Sequence, residues 1–131
     1  MTTTTVSRLA TAPAYAVLPA EEITRAKRFY GETLGLEIEE VPGGDVVVHA
    51  GGGTRFLIYE RARTIAEHTV LSFWVEDLHA VMDELRSRGV IFEEYDLPGL
   101  TTVGGVAEVP GMRSAWLTDT EGNIINIGQL T

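Results

Sequence analysis

The chain has 131 residues, of which 44% are hydrophobic and 22% charged, and its formal net charge is −9. This length supports one hydrophobic core, whereas two separate domains would each approach the size at which metals or disulfides become necessary. The absence of cysteine excludes disulfides, thiolate nucleophiles and cysteine-ligated metal sites. The acidic balance disfavours nucleic acid and anionic membrane surfaces as partners, because both repel negative charge.

The N-terminal residues predict a flexible leader, residues 1–12, followed by a single domain over residues 13–131. The leader is rich in threonine and lacks the apolar h-region of a secretory signal. Apolar runs are only a few residues long, as at residues 46–48, so no segment is expected to span a bilayer. Together these features predict a cytoplasmic protein.

The domain contains one sequence pattern twice, at an offset of about 55 residues. Residues 17–26 align with residues 72–81, and residues 34–36 align with residues 88–90. Each copy has an apolar strand, an acidic pair, an amphipathic helix, a glycine at the helix end and further strands. The repeat therefore predicts two modules, at about residues 13–62 and 68–130.

Both predicted helices have start and stop signals. In the first, Glu21 and Glu22 are expected in the first turn, where their charges oppose the helix dipole, and Gly35 is expected to end the helix. In the second, Asp77 is the predicted N-cap and Gly89 the stop. The apolar positions at helical spacing are Ile23, Ala26, Phe29, Tyr30 and Leu34 in the first helix, and Leu78, Val81, Met82 and Leu85 in the second.

Short β-rich runs bounded by turn residues complete each copy. The predicted strands are Tyr15–Leu18, Leu36–Glu39, Val46–Ala50, Phe56–Tyr59, Val70–Val75, Val90–Tyr95, Ser114–Thr118 and Ile124–Ile127. Residues 119–123 form a predicted tight hairpin connection. The segment 96–113, rich in glycine and proline, is predicted to be a loop that acts as a lid. The predicted element order of each half is therefore strand, helix, strand, strand, strand, which indicates an α+β fold.

Three motifs carry a family resemblance: RAKRFYGETLGL at residues 25–36, VEDL at residues 75–78 and DTEGN at residues 119–123. Over about residues 13–130 the chain resembles the vicinal oxygen chelate superfamily, which contains glyoxalase I, the bleomycin-resistance proteins and the extradiol dioxygenases. The resemblance implies two βαβββ modules that form curved mixed sheets around a cleft. It also implies that ligands lie in the cleft and that the protein is a homodimer.

Enzymes of this superfamily usually hold a divalent metal with His, Glu or Gln side chains at four positions of the cleft. The matching positions in this chain are Tyr15, Leu57 or Ile58, Val70 and Asn126. Aliphatic side chains offer no oxygen or nitrogen to such a cation, so no cofactor is predicted. A shift of strand register would instead bring His68 and Glu60 into place, which keeps a divalent metal as the alternative.

Strand alternation from the same positions predicts which side chains face the cleft. They are Tyr15, Val17, Val70, Ser72, Trp74 and Asn126, with Trp116 on the neighbouring strand as a wall. An apolar surface with a few hydroxyl and amide groups is typical of small-molecule pockets. These seven residues are the predicted ligand-binding residues, and no catalytic residue is assigned.

The sequence thus predicts a protein that binds and sequesters a small organic ligand without a metal. The net charge of −9 favours a cationic or aromatic ligand. The alternative is a metal-dependent lyase, isomerase or dioxygenase acting on vicinal oxygens, similar to the glyoxalases. A metal-free isomerase that uses Tyr15, His68 and Glu60 is a third possibility, so the sequence leaves open whether the protein is an enzyme.

Overall fold

The structure is a computed structural model that describes residues 5–131. The first sheet comprises β1 (Val17–Ala20), β2 (Glu37–Glu40), β3 (Val46–His49) and β4 (Arg55–Glu60). Its strand order is β1-β4-β3-β2, with β1 parallel to β4 and the other pairs antiparallel.

The second sheet repeats this arrangement. After β5 (Thr69–Trp74) come a small hairpin, β6 (Asp96–Leu97) and β7 (Leu100–Thr101), and then β8 (Ala107–Val109), β9 (Met112–Thr118) and β10 (Ile124–Leu130). The order is β5-β10-β9-β8, with β5 parallel to β10 and the other pairs of this sheet antiparallel. The α+β fold with two βαβββ modules is therefore confirmed.

The leader predicted at residues 1–12 falls partly outside the described residues, because residues 1–4 are not among them. Residues Arg8–Thr11 form a 3-10 turn, which Ser7 caps by accepting a hydrogen bond from the Leu9 amide. Within the described part of the chain, no helix combines the length and the apolar character that crossing a membrane requires. The flexibility of the leader stays a prediction.

The two predicted helices are present, and each is followed by the expected glycine. Helix α1 (Ile23–Arg28) continues as a π-helical turn over Phe29–Thr33, and α2 spans Leu78–Ser87. Gly35 and Gly89 have φ values of +73° and +93°, the left-handed conformation that reverses a chain at a helix end.

The helix starts differ from each other. Asp77 caps α2 as predicted, because its Oδ1 accepts a hydrogen bond from the Ala80 amide at 3.1 Å. The prediction that Glu21 and Glu22 occupy the first turn of α1 is wrong, since that helix begins only at Ile23. The Glu22 amide instead donates to Glu121 Oε1 at 3.0 Å, so the last hairpin supplies the missing acceptor.

The edge of the second sheet also differs from the prediction. Residues 90–95 form no regular strand, although the Glu93 amide donates to the Trp116 carbonyl at 2.8 Å. The segment 96–113, predicted as a loop, contains β6, β7 and β8. The reason is that β8 pairs with the first half of β9 and Glu93 lies beside its second half, so two separate segments share one edge.

One hydrophobic core joins the modules. On β1, β3 and β4 every second side chain is buried, as in Leu18 and Ala20 of β1. Ala115 and Leu117 of β9 enter the same core. The rings of Phe56 and Phe73, one from each sheet, lie 6.2 Å apart in an edge-to-face contact. The alternate side chains of each strand point to the opposite face of the sheet, which none of the described helices covers.

The β9–β10 hairpin ties the modules together through hydrogen bonds. The Tyr30 hydroxyl of the π-helical turn donates to Asp119 Oδ2 at 2.5 Å, and the amides of Glu121 and Asn123 donate to Asp119 Oδ1. Asn123 Nδ2 also donates to the Pro19 carbonyl of β1 at 3.0 Å. These contacts confirm the predicted tight turn and fix where the sheets lie relative to each other.

Candidate ligand-binding site

The uncovered face of the second sheet carries a row of side chains from three neighbouring strands. Ser72 of β5, Asn126 of β10 and Trp116 of β9 are partners in strand register. On the corresponding face of the first sheet, Val17 of β1 pairs with Leu57 of β4. Three of the predicted ligand-binding residues therefore share one row, and Val17 lies on the other sheet.

Trp74 lies across the end of the second sheet. Its strand partner is Gly128, and a Cβ atom at that glycine would lie only 2.9 Å from the indole Cζ3. The missing side chain therefore leaves the room that the indole fills. Trp74 is 61% exposed, so one aromatic face of this side chain is available for contact with another molecule.

The other residues of the row are held in place by polar and aromatic contacts. Trp116 Nε1 donates to Thr69 Oγ1 at 3.2 Å, and its ring meets that of Tyr95 edge-to-face with centroids 5.7 Å apart. Asn126, only 8% exposed, donates through Nδ2 to the Ala115 carbonyl at 3.2 Å. These contacts hold Trp116 and Asn126 in place on the face of the sheet that carries Ser72.

Val70 lies where the register of β5 shifts. Thr69 pairs with Ile124 and Leu71 with Ile125, so Val70 stands between two pairs as a bulged residue. It packs against the hydrophobic core. Strand alternation cannot predict such a bulge, because one extra residue changes the facing of the side chains that precede it.

Tyr15 lies two residues before β1, which begins later than predicted, and it contacts a residue that the sequence reasoning missed. Arg55, the first residue of β4, donates from Nη2 to the Tyr15 hydroxyl at 2.5 Å. Its guanidinium carbon also lies 4.6 Å from the centroid of the Tyr15 ring, a cation–π distance. The parity of β4 offered the signal, since Arg55 and Leu57 share a face.

A cavity of about 380 Å³ opens where the modules meet, and is called here the inter-module cavity. Ser72, Trp74 and Arg55 contribute to its lining. The full lining is Ala16, Ala50, Gly51, Thr54, Arg55, Phe56, Leu71, Ser72, Phe73 and Trp74. Its volume lies within the roughly 300–1,000 Å³ of small-molecule sites, and most of its lining is apolar.

The positions that the family resemblance assigns to a metal do not fit one. Leu57 rather than Ile58 is the β4 residue on the uncovered face, since Ile58 is buried in the core. Val70 packs in the core, and Tyr15 lies against a guanidinium whose positive charge opposes a bound cation. Aliphatic side chains at two of the four positions leave too few donors for a divalent ion.

The alternative metal ligands are also placed by the fold. His68 precedes β5 and is exposed, and Glu60 is the exposed last residue of β4. Among residues 5–131, no group of three or more His, Asp or Glu side chains is arranged to hold a metal ion. Neither residue lines the inter-module cavity.

The fold and the site define a protein with two βαβββ modules and a largely apolar cavity, lined by aromatic side chains, between them. The sequence profile of the Glyoxalase/Bleomycin resistance protein/Dioxygenase superfamily matches residues 12–127. The chain therefore belongs to this superfamily. A sequence comparison with curated proteins finds no match.

Solved structures show the same fold. TnmS3, an antibiotic-binding protein from Streptomyces sp. CB03234, is 24% identical with a TM-score of 0.71, covering 92% of this chain and 99% of its own. A lactoylglutathione lyase from Agrobacterium tumefaciens is 20% identical, with a TM-score of 0.66 and coverage of 91% and 93%. The fosfomycin resistance protein FosX from Listeria monocytogenes is 12% identical, with a TM-score of 0.66 and coverage of 92% and 94%. At these identities the likeness establishes the fold only, since one fold hosts many functions.

Proposed function

We propose that the protein binds and sequesters a small aromatic molecule, without a metal, against the indole of Trp74. The observation that carries this proposal is the 61% exposed indole at the edge of the inter-module cavity. A large aromatic side chain exposed beside a cavity offers a flat apolar surface for stacking. Arg55, Thr54 and Ser72 supply the few polar groups that orient a ligand.

Two further points support binding rather than metal-dependent chemistry. The four positions that hold a metal in enzymes of the superfamily lack a ligand set here, because two of them carry aliphatic side chains. The likeness to TnmS3, an antibiotic-binding protein, supports a ligand that is a small organic molecule. The site residues proposed for this ligand are Trp74 and Ser72 in the cavity and Tyr15 beside Arg55.

We also propose that the binding protein is a homodimer. The family resemblance implies this assembly, and the uncovered sheet faces support it. Val17 is 57% exposed on the apolar face of the first sheet. The accessible surface of the chain, 8,546 Å², exceeds the roughly 6,800 Å² expected of a compact monomer of this mass. A second copy would cover the apolar surface around Val17.

Tryptophan emission tests ligand binding, because the chain contains two tryptophans, Trp74 and Trp116. In Trp116→Phe the emission reports Trp74 alone. We expect 2-naphthalenemethanol, a neutral aromatic probe, to quench this emission with a saturable dependence on concentration. In calorimetric titrations, Trp74→Ala should weaken binding at least tenfold, whereas Ile91→Ala, which removes an exposed apolar side chain elsewhere, should leave it unchanged.

Experiments with and without metal ions distinguish the proposed metal-free binding from the alternative, a metal-dependent enzyme. Dialysis against EDTA, or addition of nickel, zinc, manganese or iron, should leave the affinity for the probe unchanged within twofold. A metal that raises the affinity or the melting temperature, with the gain lost in His68→Ala, would favour the metal-dependent enzyme. Absence of saturable quenching across neutral aromatic probes would contradict the proposed binding function.

A further inference from the structure

The inter-module cavity has one charged side chain in its lining, Arg55. The other lining residues are apolar or carry a hydroxyl group, as Thr54 and Ser72 do. A protein with a net charge of −9 therefore presents a positive charge, and no carboxylate, to a molecule in this cavity. The charge of the cavity is opposite to that of the whole chain.

Arg55 has no direct ion-pair partner, because within residues 5–131 no carboxylate oxygen lies in ion-pair contact with its guanidinium. The nearby Glu39 is engaged by His49 at 2.8 Å. The hydrogen-bond partner of Arg55 is the Tyr15 hydroxyl, and this hydrogen bond raises the pKa of Arg55, with a smaller contribution from the charge of Glu39. Arg55 thus remains a cation at every physiological pH.

The contact with Tyr15 orients the guanidinium and leaves donors free. Arginine has five N–H donors, and the hydrogen bond to Tyr15 uses one of them, on Nη2. The Tyr15 ring supports the guanidinium at 4.6 Å from its centroid, which limits the rotamers of the long side chain. A planar fork held in this way matches the two oxygens of a carboxylate.

The local charge outweighs the net charge for a molecule inside the cavity. Exposed charges more than about 8 Å away are largely screened at physiological ionic strength. A bound group in contact with Arg55 is much closer than that, so the contact decides the preference. The net charge of −9, which favours a cationic ligand at long range, would then affect the approach of a ligand more than its binding.

We infer that the inter-module cavity selects aromatic molecules that carry a carboxylate or a similar planar anion. The aromatic part stacks on Trp74, the anion takes the free donors of Arg55, and the Ser72 hydroxyl is available for a further hydrogen bond. The Thr54 hydroxyl already donates to the Gly51 carbonyl at 2.6 Å and remains an acceptor. This inference rests on the proposed function and names the ligand class of the same cavity. It replaces the cationic class that the net charge favours.

Three naphthalene probes of equal size test the inference: 2-naphthoate, neutral 2-naphthalenemethanol and cationic 2-naphthylmethylammonium. Calorimetric titrations at physiological ionic strength should give an affinity for 2-naphthoate about tenfold higher than for the alcohol, with the ammonium compound weakest. Arg55→Gln should reduce the affinity for 2-naphthoate to that for the alcohol. Arg55→Lys, which keeps the charge and loses the fork, should retain part of the preference.

The matched control is Arg61→Gln, which changes the net charge equally just after the opposite end of β4. It should leave the preference for 2-naphthoate intact. Equal binding of 2-naphthoate and the alcohol, or an equal loss in Arg61→Gln and Arg55→Gln, would overturn the anionic class while aromatic binding stands. Binding of none of the three probes would overturn the proposed function as well.

Discussion

The carboxylate of Asp119 has its hydrogen-bonding capacity filled from several directions. Its Oδ1 accepts from two backbone amides of the hairpin, and its Oδ2 accepts from Tyr30 and from Asn123 Nδ2. Burial, followed by the charge of Asp119 and its hydrogen bond, raises the pKa of Tyr30 well above its ordinary value. The phenol therefore stays protonated and remains a donor to this carboxylate.

Tyr30→Phe should lower the free energy of unfolding by roughly 1–3 kcal/mol, because it removes a buried donor to a charged acceptor. Urea unfolding at neutral pH measures this loss. Tyr95→Phe is the matched control: among the described residues the Tyr95 hydroxyl has no hydrogen-bond partner, and the change should stay within about 0.5 kcal/mol. Equal effects of the two substitutions would contradict this role for Tyr30.

We expect the Glu121 carboxylate to stabilise the fold in a way that is lost at acidic pH. Burial alone would raise its pKa, but hydrogen bonds from Arg25, the Glu22 amide and Thr120, together with the charge of Arg25, lower the pKa from 4.5 to about 2. Because the folded pKa is depressed, the stabilisation is present above pH 4.5 and is lost as the pH falls towards 2. Its upper limit is about 3 kcal/mol, and solvent screening at the partly exposed Arg25 reduces it.

Unfolding of the native chain and of Glu121→Gln, followed between pH 7 and pH 2, isolates this contribution. The variant should be less stable at pH 7, and the difference should shrink below pH 4.5, since glutamine does not titrate. The other carboxylates titrate equally in both proteins. Parallel pH profiles for the two proteins would show that Glu121 does not carry this dependence.

At the scale of elements, the sequence predicts those helix and strand features that depend on neighbouring residues in the chain. Asp77 and Gly89 bound α2 as predicted, because a cap and a left-handed glycine act on the helix next to them. The start of α1 is different, because its amide partner, Glu121, is distant in the chain. Residues 90–95 have strand-like composition, yet β8 takes the edge position beside β9, which only tertiary pairing decides.

In the candidate site, too, features set by local pattern are predicted and features set by contacts between elements are missed. Alternation places Ser72, Trp116 and Asn126 on one face because the strands that carry them are regular in this region. The bulge at Val70 and the contact of Arg55 with Tyr15 depend on pairing between elements. The location of a cavity between the modules can therefore be predicted from the sequence. The charge of the cavity lining can be known only from the three-dimensional structure.

The pairing of Trp74 with Gly128 makes strand β10 a support for the indole proposed to bind the ligand. In Gly128→Ala the new Cβ would meet the indole at 2.9 Å, so the ring must move. We expect a shifted Trp74 emission maximum in the Trp116→Phe background and at least a tenfold loss of affinity for 2-naphthalenemethanol. Far-ultraviolet circular dichroism serves as the folding control. Unchanged emission and affinity would show that the indole position is irrelevant to binding.

For the whole molecule, a charge on an uncovered sheet face should break the proposed homodimer. Val17→Lys places an ammonium group on the apolar face of β1 and should yield a monomer in sedimentation equilibrium. Ile91→Lys introduces the same group at another exposed apolar residue and should leave the dimer intact. A native chain that sediments as a monomer would contradict the homodimer.

The hairpin of residues 119–123 also determines the order in which the chain completes its structure. A ribosome releases all strands of the first module before it has made Asp119 and Glu121. Until then Tyr30 and the Glu22 amide lack the partners that the finished fold gives them. The nascent first module is therefore incompletely stabilised until the last part of the chain has been made. Folding is complete only when the final hairpin docks onto helix α1.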